Sequence, residues 1–356
     1  MSRRWLVLAD DYLQARNAKT AHGVIRYSGD YNDDSIAAVI DGEHAGRSLA
    51  EVMPELASHA PIVASVKEGL THEPTSLLLG VATPGGWMPE HWRSWIAEAI
   101  EAGLEIVNGL HRFLRDDPEL VSLAAEHGAR LWDVREPPRD IPLFSGKTLE
   151  SNKRIVHAVG SDCAVGKKTV AIELTKAARD RGFAAEFVAT GQTGIMIAGW
   201  GIAVDRVIAD FVAGAAEKLV LDAPDDADVL VVEGQGSLWH PAYSGVTLSL
   251  LHGCSPDVLV LCHEAGRTAI EEPPFTALPA IKEMVETYER HAALVRTARV
   301  ACIAINCGEV SEVERRAIVD EIETETGLVA GDVLYGDGAK LWASVEAALP
   351  PSRRDQ

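Results

Sequence analysis

The sequence predicts an α/β protein made of two parallel-sheet domains, and three observations carry that prediction. Short apolar runs rich in β-branched residues alternate with helical periodicity along most of the chain, as parallel sheets with crossover helices require. A polar, proline-bearing stretch interrupts the alternation near residue 140. Beyond it the alternation restarts with a strand that runs into a glycine-bounded, lysine-bearing loop, the layout of a phosphate-binding loop. The chain therefore divides into a Rossmann-like N-terminal domain at 1–137, a linker at 138–152 and a doubly wound, P-loop NTPase-like C-terminal domain at 153–350.

In the first domain the strand-like runs fall at 5–9, 36–40, 61–66, 77–81, 105–108 and 130–134. Residues 17–28, directly after the first strand, form a helix carrying Lys19 and Arg26. A further helix is marked by Trp92, Trp95, Ile96, Ala99 and Ile100, apolar at i, i+3, i+4, i+7 and i+8, with Gly103 as its stop signal. The segments 82–86 and 108–111 also follow strands. No G-x-G-x-x-G follows the first strand, which argues against a dinucleotide there and for an anionic substrate group or an interdomain contact. In the second domain strands are expected at 155–159, 183–189, 229–232, 257–263 and 300–306, and helices at 167–181, 203–218, 276–291 and 311–326.

Composition narrows the functional classes. The 356 residues suffice for two buried cores, and 47% hydrophobic with 24% charged residues describes a globular chain. A formal charge of −20 excludes general affinity for nucleic acid or an anionic membrane, so an anionic ligand needs a local basic pocket. No apolar run approaches a membrane span, and 5–9 is too short for a signal peptide before Asp10 and Asp11 interrupt it, so a cytoplasmic protein is expected. Cys163, Cys254, Cys262, Cys302 and Cys307 form no C-x-x-C pair and are read as reduced thiols. A homo-oligomer is expected on general frequency alone.

The loop comprises Gly160, Ser161, Asp162, Cys163, Ala164, Val165, Gly166, Lys167, Lys168 and Thr169. Backbone N–H groups, the start of a helix and a lysine converge there on one anion. It departs from G-x-x-x-x-G-K-[ST] twice: the first glycine falls one residue early, and Lys168 stands where a hydroxyl normally ligates magnesium. The second departure argues against an ordinary Mg-ATP site.

In open parallel sheets ligands bind beyond the carboxyl ends of strands, and the strand-end residues here are unusually polar. Thr190, Gln192 and Thr193 belong to TGQTG, either a substrate-contacting loop or a turn before a helix. Glu233 ends the next strand as a potential metal ligand, general base or clamp for an ammonium group. His240 is a proton-transfer candidate or a capping histidine beside Pro241, with Tyr243 and Ser244 as substrate contacts. Arg267 can take a carboxylate with its planar fork or sit in a solvated charged loop. Cys163, near a helix N-terminus and Lys167, is a conceivable acyl carrier or simply a small side chain that leaves room for phosphate. No metal-ligand spacing is present, so no metal is assigned.

Four long motifs in order, GSDCAVGKKT, TGQTG, VVEGQGSLWHPAYSGVTLSLLHG and LVLCHEAGRT, resemble the DgcN-like family of two-domain P-loop proteins, long catalogued as a domain of unknown function. The resemblance covers most of 150–345 and extends loosely to the first domain through AKTAHGV, ATPGG and AGLEIVNGLH. It implies a D-glutamate N-acetyltransferase: acetyl-CoA as co-substrate, its phosphates on the lysine-rich loop, and an acidic amino acid as the small-molecule acceptor. Glu233, then His240, are the candidate bases, with Arg267 or Lys19 for substrate carboxylates. Up to Lys167 the loop is also similar to that of dethiobiotin synthetase, which keeps open an ATP- and magnesium-dependent ligase or kinase. A non-catalytic nucleotide-sensing protein is the third reading.

Overall fold

Every strand expected in the first half forms, because each is an apolar run that a parallel sheet covered by helices can bury on both faces. The computed structural model describes residues 2–83 and 86–351. It contains β1 (Arg4–Leu8), α1 (Lys19–Tyr27), β2 (Ser35–Ile40), α2 (Leu49–Val52), β3 (Ile62–Val63), α3 (Val66–Leu70), β4 (Ser76–Leu79), α4 (Trp92–Glu101), β5 (Glu105–Asn108), α5 (Pro118–His127) and β6 (Leu131–Asp133). The strands pair in parallel in the order β3-β2-β1-β4-β5-β6, the doubly wound Rossmann-like order. Leu6, Leu8, Leu77 and Leu79 of the sheet pack with Trp92, Ile96, Ala99 and Ile100, the apolar stripe of α4. Each large side chain so buried contributes about 1.5–3 kcal/mol. Of the strand-end segments singled out in this half, 82–86 includes residues 84 and 85, which lie outside the described residues.

The second half forms β7 (Arg154–Gly160), α6 (Lys167–Asp180), β8 (Ala185–Val188), α7 (Gln192–Ala198), α8 (Val212–Asp222), β9 (Val229–Val232), α9 (Ser244–Cys254), β10 (Val258–Glu264), α10 (Ile281–Ala292), β11 (Arg299–Asn306), α11 (Glu312–Thr326), β12 (Val329–Gly331) and α12 (Gly338–Ala348). Its parallel sheet runs β12-β11-β10-β7-β9-β8. β7 is central, with β9 on one side and β10 on the other, so the chain order reverses at its carboxyl end. That is the position where such sheets open a crevice for ligands.

Besides α7, four elements of the second half were not legible as such. The stretch 203–218 forms two 3-10 turns before α8 begins at Val212. The glycines and hydroxyls of α9 read as loop, yet it is helical and buries Thr247, Leu250, Leu251 and Cys254, and Gly253 leaves room for the Ala213 carbonyl of α8. β12 and α12 were not expected at all. β12 is three residues long and α12 shows only a broad apolar face, so neither carries a strong periodic signal.

The chain separates into two compact units, one holding residues up to Glu136 plus Gln192–Ala203, the other Pro137–Gly191 plus Val204 onward. Within the first unit α7 packs on α1, where the Thr20 and Thr193 hydroxyls pair at 3.1 Å. Within the second, the stretch 138–152 is tied down. Gly214 of α8 sits so close to the Pro142 carbonyl that a Cβ there would collide with it. The Ser145 N–H and hydroxyl each donate to Glu217 at 2.8 Å, the Thr148 N–H donates at 3.3 Å, and the Thr148 hydroxyl reaches the Gly253 carbonyl at 3.2 Å. Among the described residues no helix is long and apolar enough to cross a membrane.

Burial pushes the Glu217 carboxyl up, but the Ser145 and Thr148 bonds outweigh it and hold it below the usual carboxylate range. Its stabilising contribution is therefore full above the unfolded-state value and is lost as pH falls through the folded one. Glu217→Gln is expected to cost roughly 1.5–3 kcal/mol at neutral pH, the worth of hydrogen bonds to a charged group. Urea unfolding should show the difference from wild type shrinking once the pH drops below about 4.3.

Candidate active site

β7 is buried along its whole length and delivers its last residue, Gly160, to the crevice. The loop then turns through left-handed residues Ala164 (φ 56°) and Gly166 (φ 97°) and enters α6 at Lys167. Ala164 adopts a conformation unusual for a side-chain-bearing residue, and the loop is held there by bonds to three of its carbonyls. Tyr288 of α10 donates its hydroxyl to the Gly160 carbonyl at 2.7 Å, Ser237 donates to the Ser161 carbonyl at 2.7 Å, and Lys167 Nζ donates to the Asp162 carbonyl at 2.6 Å. The Ser161 hydroxyl pairs with His263 Nδ1 at 2.9 Å.

Lys167 is buried, and its stem crosses Gly160 and Gly234, where added side chains would meet it; a Cβ on Gly234 would also strike the Ala158 carbonyl. Burial pushes its ammonium below the ordinary lysine value, while Cys163, Cys262, Asp162 and Glu233 pull the other way. Asp162 makes three bonds: one oxygen accepts from the Cys163 N–H at 2.7 Å, the other from Arg267 at 2.6 Å and from the Glu271 N–H at 2.9 Å. Arg267 also bonds Glu264 and, at 3.2 Å, Glu271. Three carboxylates therefore already occupy the guanidinium expected to receive substrate, and its visible task is to hold Asp162.

Glu233 follows β9 directly and is 4% exposed. One carboxylate oxygen accepts from the N–H groups of Thr190 and Gly191, at 2.9 and 3.0 Å. Burial raises its pKa above the ordinary glutamate value, against the pull of those N–H groups, Lys168 and Lys167. Thr190 is fully buried and spends its hydroxyl on the Glu233 carbonyl at 2.8 Å, with Gln235 Nε2 donating to it at 3.1 Å, so it positions the glutamate. Gln192 and Thr193, read from sequence as part of the same loop, open α7 and belong to the other compact unit. Lys19 is an exposed residue at the start of α1.

His240 is 2% exposed. The Ala242 N–H donates to its Nδ1 at 3.3 Å and its ring lies 4.4 Å from that of Tyr243. Its Nε2 has no hydrogen-bond partner, the exposed Glu272 carboxylate standing 3.8 Å away. Tyr243 is 40% exposed, its phenol pushed up by burial and then by Glu272 and Cys163. Ser244 starts α9 with its N–H on the His240 carbonyl at 2.9 Å. Asp162, Cys163 and His240 each bring one side-chain atom within 4.8 Å of the others.

The supports at Tyr288, Ser237 and Gln235 were not found by sequence reading. Ser237 and Gln235 lie in the motif after Glu233 but look like any turn residues, whereas Tyr288 lies 128 residues from the carbonyl it holds, on the buried stripe of α10.

Residues 142–342 match the family model described as the DUF1611 C-terminal P-loop domain, a domain of unknown function, and 42–137 match the DUF1611 N-terminal Rossmann-like domain. The chain belongs to the DUF1611 family. A DUF1611 family protein from Anabaena variabilis, solved by crystallography, superposes with a TM-score of 0.92 at 36% identity over 97% of this chain and 100% of that one. Two relatives carry the name D-glutamate N-acetyltransferase. The one from Tritonibacter scottomollicae is 40% identical over 275 residues, 77% of this chain and 81% of its own. The one from a Pseudoalteromonas species is 40% identical over 260 residues, 73% and 77% of the respective chains.

Tyr288→Phe removes the hydroxyl that caps the Gly160 carbonyl and leaves that carbonyl buried. It should cost about 1–3 kcal/mol, readable by urea unfolding of this DUF1611 chain.

Proposed function

We propose that the chain is an N-acetyltransferase that moves the acetyl group of acetyl-CoA onto the amino group of an acidic amino acid, D-glutamate being the substrate its relatives' names point to. The observation that carries this reading is Glu233, a buried carboxylate with a raised pKa, fixed by two backbone N–H groups within the electrostatic reach of Lys167 and Lys168. A base so placed takes a proton from the substrate ammonium, and the free amine attacks the thioester carbonyl carbon. Charge then develops on the carbonyl oxygen, where loop N–H groups and the Lys167 ammonium meet it, each such donor supplying on the order of 10²-fold. Collapse breaks the C–S bond, the departing thiolate receives the proton Glu233 took, and the second proton that the nitrogen sheds on becoming an amide leaves to solvent.

The expectation that the loop grips the phosphates of CoA does not combine with this chemistry. An extended pantetheine arm separates thioester from pyrophosphate by about 15 Å, the span of four or five extended residues. Glu233 acts on the end of the molecule that lies at the loop. We therefore assign the loop to the reacting acyl group and place the phosphates an arm's length away. The charge balance favours this: Asp162, Glu233, Glu264 and Glu271 offset Lys167, Lys168 and Arg267, which suits one developing negative charge better than a pyrophosphate without magnesium.

Lys167→Met should lower kcat by about 10²–10³-fold while leaving CoA affinity within a few-fold of wild type. Loss of CoA binding by calorimetry would return the phosphates to the loop. Tight binding of Mg-ATP with no response to acetyl-CoA would overturn the acetyltransferase reading. Because Glu233 must be ionised to act and its pKa is raised, kcat/KM should fall with pH along a limb lying above the ordinary glutamate value of about 4.3. Glu233→Gln should lose about 10²–10⁴-fold in kcat and that limb with it. The sign for stability is opposite to that of Glu217. A raised carboxyl favours the fold fully below its unfolded value and loses that contribution as pH rises through the folded one, so the glutamine variant should be no less stable than wild type at neutral pH.

A further inference from the structure

We propose, resting on the acetyltransferase reading, that the acetyl group passes through Cys163: the loop cysteine takes it from the thioester and hands it to the amine, with the buried ring of His240 beside it as hydrogen-bond donor. Cys163 is the accessible thiol among five, since Cys254, Cys262, Cys302 and Cys307 are all buried. It sits between the left-handed turn at Ala164 and Asp162, in the loop to which Glu233 and Lys167 bring the reacting acyl group.

The second observation is independent of the cysteine. His240 is 2% exposed, and its Nε2 is buried without a hydrogen-bond partner. Because Nδ1 accepts the Ala242 N–H, the proton of the neutral ring is on Nε2. A buried donor left unmatched carries a desolvation cost that is recovered when an acceptor arrives. His240 brings a ring nitrogen within 4.8 Å of the Cys163 sulfur, so a thiolate, or the oxygen of an acyl group carried on it, is an acceptor beside the ring, together with the exposed Glu272 carboxylate 3.8 Å from Nε2. The same tautomer casts His240 as a donor.

The chemistry balances in two steps. In the first, the Cys163 Sγ–acyl bond forms as the acyl–CoA sulfur bond breaks, and the thiol proton of Cys163 ends on the free CoA thiol. In the second, the amine nitrogen–acyl bond forms as the Sγ–acyl bond breaks; of the two protons the ammonium loses, Glu233 removes one and returns it to the sulfur, and the other leaves to solvent. The products are N-acetyl amino acid and CoA, with the thiol restored.

The test is to incubate the protein with acetyl-CoA and no amino acid, then measure intact mass and map peptides. An adduct of about 42 Da, one acetyl for one hydrogen, is expected on Cys163 and should discharge when D-glutamate is added. Cys163→Ala should lose the adduct and at least about 10²-fold in turnover, with an unchanged thermal melt as the control for folding. Cys163→Ser, which keeps the shape of the site, should trap the acetyl group as a slowly discharging ester. His240→Gln, retaining an N–H donor, should acylate faster than His240→Ala. A wild type that acetylates D-glutamate together with a Cys163→Ala variant that does so within a few-fold would overturn the cysteine step and leave the acetyltransferase reading intact. A wild type that neither acylates nor transfers acetyl groups would overturn both.

Discussion

The buried ion pair between Asp162 and Arg267 is the interaction on which the shape of the site rests. Asp162 stands in the middle of the loop after the central strand, 1% exposed, and both its oxygens are spent: on the next N–H of the loop, on the Glu271 N–H and on Arg267. Removing one partner would leave a buried charge unpaired, a loss of about 3–5 kcal/mol in comparable cases. The pair joins the end of β7 to the segment after β10, neighbouring strands in the sheet but more than a hundred residues apart in sequence. With the loop pinned at Asp162, its carbonyls can be capped by Lys167, Ser237 and Tyr288, and Cys163 and Lys167 are held in fixed relation to Glu233 and His240.

Topology explains why these groups meet. β7 has β9 on one side and β10 on the other, so the loop after β7, the Glu233 segment after β9 and the Arg267 segment after β10 open on one edge of the sheet. Each strand is buried and apolar for structural reasons, and polar residues stand at its end: Ser161 and Asp162 after β7, Glu233 after β9 and Glu264 at the end of β10. Glu233 shows how the fold sets chemistry. The two N–H groups that hold its carboxylate come from the end of β8, the strand paired with β9, while burial raises its pKa. A carboxylate positioned without being neutralised is what a base for a substrate ammonium requires.

Much of this was legible from the chain itself. The loop, Glu233 and the strands on either side announce themselves through apolar runs that end in glycine or charge, and local burial decides those runs. α9 and α7 were less legible because their glycines and hydroxyls carry turn propensity, which packing overrode: Gly253 lets α8 approach α9, and Thr193 meets Thr20 on α1. Arg267 was recognisable as a strand-end cation, but the carboxylates that occupy it come from three separate positions, one of them within the loop.

The sequence by itself determined the two parallel-sheet domains, the place of the glycine-bounded, lysine-bearing loop, the presence of Lys168 where P-loops carry a hydroxyl, and the candidacy of Glu233. These depend on order and spacing along the chain, which the backbone reads locally. Only the tertiary structure decided which polar groups are free to act. Thr190 and Arg267 are consumed in holding their neighbours, Gln192 and Thr193 belong with the first unit, and His240 keeps a buried Nε2 without a hydrogen-bond partner. The reason is physical: availability is set by hydrogen-bond partners from distant segments, and burial makes each of those partnerships obligatory.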